Sequence, residues 1–194
     1  MNNEYKITIP KFFKHLKVVI IHKWWVFKFC CYAGIPLQGF FHDFSKFSFV
    51  EFWESVKYVT GVRSPIQGAK MDKGYSEAWL HHKGRNKHHF EYWIDFNAPE
   101  KTPVIPYKYT VEMLCDTLAA GKTYQGKNWT KEYQAKYFEE KTDMSLINPK
   151  IVGFLRDAYA DVAKDGNLKR VLNKKNLKEM YNKNVLTKEK DGGK

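Results

Sequence analysis

A chain of 194 residues is long enough for one domain with a real hydrophobic core and short for two. Its 43% hydrophobic and 16% aromatic content sets it apart from disordered chains, and its net charge of +12 favours an anionic substrate or partner. The charge is uneven: residues 169–194 hold nine basic residues against three acids, and residues 1–41 hold six lysines against Glu4 alone. The most apolar stretch, 16–41, is broken by Lys17, His22, Lys23, Lys28, Gly34 and Pro36, which excludes an uncharged run of about 20 residues able to span a bilayer.

Pro10 suits the first turn of a helix in which Phe13, Leu16, Val19, Ile20, Trp24, Phe27 and Cys31 recur at three- and four-residue steps. That pattern predicts a buried helix with His22 at its middle, stopped by Gly34-Ile35-Pro36. Ser48 and Glu51 have the spacing of a capping box, opening a helix with Phe52, Val56 and Val59 on one face. The doublet His42-Asp43 falls just before it, and a loop over 61–74 is expected after it.

Ser76 is placed to cap a short helix through Trp79 to His82; Gly84 interrupts it, and Asn86 is expected to cap a second through Trp93. Pro99, Pro103 and Pro106 mark an extended connection. Val111, Leu114, Cys115 and Leu118 then give a helical face ending near Gly121, with Glu112 and Asp116 four residues apart on one side. Thr130 and Asn148-Pro149 open two more helices, and a weaker pattern starts at Asn167. The sequence contains no repeat and no convincing strand pair. The expected fold is all-α, with residues 1–166 as one helical domain and residues 167–194 as a basic C-terminal helix and tail.

Cys30, Cys31 and Cys115 form no CxxC pair, and the N-terminus MNNEYKITIPKFF lacks the order of a signal peptide. A reduced, cytoplasmic protein with no membrane partner is therefore expected. Its oligomeric state is left open.

All seven histidines lie in the first 89 residues, and six of them are His22, His42, His81, His82, His88 and His89. Imidazole is a common ligand for transition metals, and an adjacent carboxylate adds the negative charge that suits a divalent cation. The order reads H, HD, HH, HH, D, closing at Asp116. One histidine of each doublet is expected to bind metal, and the sequence does not choose which.

This order resembles the HD superfamily of metal-dependent phosphohydrolases, which are all-α. By that resemblance His22, His42, Asp43 and Asp116 hold a first metal, and the fold is an HD-type helical domain with additional C-terminal helices. HDFSK is similar to the HDxxK variant, whose members hold two metals through extra histidines, here from His81, His82, His88 and His89, and place the lysine, here Lys46, near phosphate. The segments HDFSKFSFVEF, AWLHHKGRNKHHFEYW and EMLCDTLAAGK also resemble a group of uncharacterised HD-like bacterial and phage proteins, over roughly residues 15–122.

The resemblance implies hydrolysis of a phosphate ester, with a nucleotide, another phosphorylated small molecule or a nucleic-acid end as substrate. One or two divalent ions (Mn, Fe, Co, Ni or Zn) would serve as cofactor. Asp43 and Lys46 are the expected catalytic pair, because an ammonium is a poor metal ligand and faces the substrate anion instead. Lys83, Arg85 and Lys122 are further candidates for substrate binding, and Glu112, Asn86 and Glu91 for orienting ligands. The H, HD, H, H, D order also resembles the di-iron oxygenases of the same superfamily. A third reading is a nucleic-acid-binding module with a structural metal, supported by the basic tail alone.

Overall fold

Thr8 accepts from the Lys11 amide and Pro10 occupies the first turn, so the chain enters a long helix, α1 (Ile9–Tyr32). The computed structural model describes residues 5–187, and all regular structure among them is helical. Gly34 (φ +74°) turns the chain out of α1 into α2 (Pro36–Phe41), and α3 (Phe49–Tyr58) starts where Ser48 accepts from the Glu51 amide.

The segment expected as a loop over 61–74 contains a helix, α4 (Pro65–Lys73), begun by Pro65 and ended by Gly74 at φ +80°. Its buried residues are Pro65, Gly68 and Ala69, too small to write an apolar period in the sequence. Ser76 accepts from the Trp79 amide and caps α5 (Glu77–Lys83).

The expected second helix after Asn86 is only a 3₁₀ turn, Phe90–Trp93. Then α6 (Tyr107–Gln125) runs through Gly121 rather than ending there. A Cβ on Gly121 would lie 2.9 Å from Gln134 Oε1 and 3.2 Å from Trp129 Nε1, so glycine here serves close packing. The chain continues through α7 (Tyr133–Lys141), α8 (Pro149–Asp165), α9 (Leu168–Val171) and α10 (Lys174–Tyr181), with Asn148, Asn167 and Asn173 capping the last three.

One apolar core joins Val26 and Phe29 of α1, Leu114 and Leu118 of α6, Phe154 and Leu155 of α8, and Leu177 and Tyr181 of α10. Each such side chain contributes about 1.5–3 kcal/mol on burial. Tyr181 Oη donates to the Ile105 carbonyl at 2.7 Å, so α9 and α10 share the core with the helices before Gly166. The last residues of the basic tail lie outside the described residues. Within it, Arg170 pairs with Asp165, and Lys183 Nζ lies 3.0 Å from Asp157 Oδ2.

The inward face of α1 differs from the one its apolar period predicts. His15, Val19, His22, Val26, Phe29 and Cys30 are buried, while Phe13, Ile20, Trp24 and Phe27 are exposed. Two histidines occupy the inner stripe and displace the aromatic residues outward. No helix among the described residues is long and apolar enough to cross a membrane.

Candidate metal centre

The doublet His42-Asp43 sits at a corner. His42 ends α2, Asp43 adopts φ +54°, and a 3₁₀ turn (Phe44–Phe47) leads to the Ser48 cap of α3. Asp43 is the one non-glycine with positive φ among the described residues. Such a conformation costs about 1–3 kcal/mol and persists where the surroundings enforce it. Lys23 of α1 donates to the His42 carbonyl and fixes the corner.

The two oxygens of Asp43 face different partners. Oδ2 lies 3.1 Å from His42 Nε2 and 3.8 Å from His22 Nε2, and Asp116 Oδ1 closes this group at 3.0 Å from His22 Nε2 and 3.3 Å from His42 Nε2. Oδ1 lies 3.3 Å from both His82 Nε2 and His88 Nε2, with His89 completing that group. Donors bound to one ion at about 2.1 Å are separated by about 3.0–3.4 Å along octahedral or tetrahedral edges, so these spacings suit metal binding.

The fit is reinforced by polar atoms without hydrogen-bond partners. His22 Nε2, His42 Nε2, His88 Nε2, His89 Nε2 and Asp43 Oδ1 are buried with no hydrogen-bond partner among the described residues, while Asp43 Oδ2 meets the Lys46 ammonium. Burial of so many lone pairs around one point needs a counterpart, and a divalent cation supplies it.

Carboxylates behind the rings set their orientation. Glu112 Oε1 lies 2.9 Å from His42 Nδ1 and 3.2 Å from His88 Nδ1, turning one Nε2 toward each group; Gln38 Nε2 donates to its other oxygen. Glu51 Oε2 lies 2.7 Å from His82 Nδ1, and its Oε1 lies 2.6 Å from His81 Nδ1. His81 is thus held away from the converging groups, and of that doublet His82 alone reaches them. His88 and His89 both converge, because the irregular chain after α5 does not impose the helical angle between adjacent side chains.

Position along α5 is governed by Glu54, which accepts from Lys73 Nζ at 2.7 Å, from the Ala78 amide at 3.1 Å and from the Ser76 hydroxyl. Asn86 is not a helix cap. Its amide donates to Ser45 Oγ and to the His82 carbonyl, both at 2.8 Å, bracing the loop that carries His88.

The charges interact strongly. Burial alone would raise Asp43 and Asp116, but His42 and Lys46 hold Asp43, and His22 and His42 hold Asp116, well below the ordinary carboxylate range. Burial would raise Glu112 as well, yet His42 and His88 bring it to about 2. Burial and the Lys46 charge lower His22 to about 4; burial and the neighbouring His88 and His82 keep His89 well below its usual value. Burial opposes charge on His42, but Asp43, Asp116 and Glu112 outweigh it and raise that ring.

Lys46 Nζ lies 2.6 Å from Asp43 Oδ2, and the charges of Asp43 and Asp116 overcome burial to raise its ammonium. It lines a cavity of about 470 Å³ together with His22, His82, His89 and Asp116. The cavity extends past Trp79, Arg63, Tyr124 and His15. His15, the seventh histidine, is buried with both ring nitrogens unpaired.

Four sequence candidates stand elsewhere. Lys83 and Arg85 do not line the cavity; Arg85 is exposed in the turn after α5. Lys122 is drawn off by aromatic rings, its ammonium 3.6 Å from the Trp129 ring centroid. Glu91 has a buried, unpaired Oε2 and a carboxyl pushed up by burial, outside the converging groups. Sequence reasoning missed Glu51, whose S-x-x-E spacing is fully accounted for as a capping box, and His15, seven residues before His22 on the same helical face.

Fold and site together define an all-helical protein with a buried histidine and carboxylate centre able to hold divalent metal. The chain belongs to a family of unknown function (DUF5662), whose model matches residues 11–161 and so covers every residue of the centre. No curated protein and no solved structure matches it.

Proposed function

We propose that this chain is a metal-dependent phosphohydrolase of the HD type, acting on a phosphate ester of nucleotide or nucleic-acid origin. The observation that carries the reading is Asp43, whose oxygens face two separate ligand groups beside a lysine and a cavity. Divalent ions bound there would supply charge neutralisation and a water-derived nucleophile at neutral pH.

The remaining work falls to the chain. Glu112 and Glu51 keep the ligand rings oriented, and the neutral state of His22 and His89 leaves lone pairs for metal at pH 7. Lys46 stays protonated and at the cavity wall, where it offsets charge growing on the phosphoryl group. Among the described residues Arg63 Nη1 donates only to Met71 Sδ, at 3.4 Å, which leaves its guanidinium for a second anionic group of the substrate. Trp79 and Tyr124 offer ring surface, and His15 offers unpaired hydrogen-bonding nitrogens, for the organic part of the ester.

Lys46→Met tests this reading. The variant keeps its fold and metals and loses turnover of nucleoside monophosphates by about a hundred- to a thousandfold, the effect of removing about 3–4 kcal/mol of transition-state stabilisation. Unchanged turnover contradicts the role of Lys46. Iron with oxygen uptake and no phosphate release would point to the oxygenase branch of the superfamily. Salt-dependent nucleic-acid binding without turnover would point to a binding module.

A further inference from the structure

We propose that the outer face of α1, with the corner from α2 to the start of α3, binds the surface of an anionic phospholipid bilayer. Ile9, Phe13, Ile20, Trp24 and Phe27 are spaced by four, seven, four and three residues and so form one exposed stripe on α1. Beside it, α2 lies so close that a Cβ on Gly39 would sit 3.1 Å from the Phe27 Cα. The corner adds Leu37 (75% exposed), Phe40 (56%), Phe41 (63%) and Phe44. The rings are continuous: Phe40 and Phe41 centroids are 5.1 Å apart, Phe41 and Phe44 5.8 Å, and Phe44 and Phe47 6.5 Å.

Charge identifies the occupant. Across residues 5–50 lysine is the only charged residue apart from Asp43, which is buried in the centre. Lys6, just before α1, and Lys17 are exposed, and Lys23 and Lys28 lie 4.6 Å from the Phe44 ring and 4.9 Å from the Trp24 ring. A second copy related by a two-fold axis would set lysine against lysine with no acid to relieve them. A nucleic acid would meet the lysines and stack on the rings, but it has no use for Ile9, Ile20 and Leu37. A bilayer with acidic headgroups supplies both halves, hydrocarbon for the apolar side chains and negative charge for the ammonium groups. The contact is peripheral and involves no spanning segment; it departs from the sequence expectation of no membrane partner, because the apolar period assigned these residues to the buried face.

The test is vesicle flotation of the full chain. Wild-type protein should float with vesicles containing phosphatidylglycerol and bind phosphatidylcholine vesicles at least about tenfold less. Trp24→Ser with Phe40→Ser should lose at least about tenfold of the anionic binding while its circular dichroism and metal content stay unchanged. Lys17→Glu, a change at an exposed site, should weaken binding severalfold with the apolar stripe intact. Absence of vesicle binding, or binding undiminished in the double variant, overturns the proposal. So does a wild-type dimer, or oligonucleotide binding, that the double variant abolishes.

Discussion

Helices α1 and α8 both cross the core, but α8 buries apolar side chains alone whereas α1 buries two histidines among its apolar ones. The inner face of α8 is Ile151, Val152, Phe154, Leu155, Ala158, Tyr159 and Val162, and its polar residues point outward. The inner face of α1 includes His15 and His22, and much of its aromatic content points outward. Hydrophobic burial therefore fixes the phase of α8, whereas the candidate metal centre, together with Val26, Phe29 and Cys30 in the core, fixes that of α1. A polar site placed in a core takes apolar positions away from the helices that build it.

The largest effect that would sharpen this contrast is on stability. Phe154→Ala should cost about 3–5 kcal/mol in denaturant unfolding, because Phe154 is fully enclosed, while Ile20→Ala on the outer stripe should cost less than about 1 kcal/mol. Comparable losses at the two positions would contradict the assigned phase of α1.

A smaller effect concerns His15, lowered to about 4 by burial and by the Lys46 charge. Below about 6.5 the unfolded chain protonates this ring, while the folded chain does so only near 4, so folded stability falls as pH drops through that window and is complete above it. His15→Phe should remove this loss. Relative to wild type in chelator, the variant should gain about 2–3 kcal/mol between pH 7 and pH 4, measured by urea unfolding. An unchanged acid slope would mean that His15 is protonated in the fold.

The convergence of His22, His42, Asp43 and Asp116 was readable in sequence because the pattern of histidines and carboxylates, rather than an apolar period, points to it, and Glu112 lies one helical turn before Asp116 on α6. The choice of His82 over His81 was not readable, since it depends on how Glu54 seats α5 against α3. Glu51 was hidden by its own good capping position. Its amide does meet Ser48, but its carboxylate turns to the histidines. The all-helical class followed from the apolar periods, while α4 escaped notice because its buried residues are small.

The central claim is that Asp43 joins two metal sites, and metal stoichiometry tests it most directly. Elemental analysis of protein purified without chelator should find one ion for each of the two groups that share Asp43. His82→Ala should lose one of them and keep the other, whereas Asp43→Ala should lose both. Full metal content in folded Asp43→Ala would contradict the account.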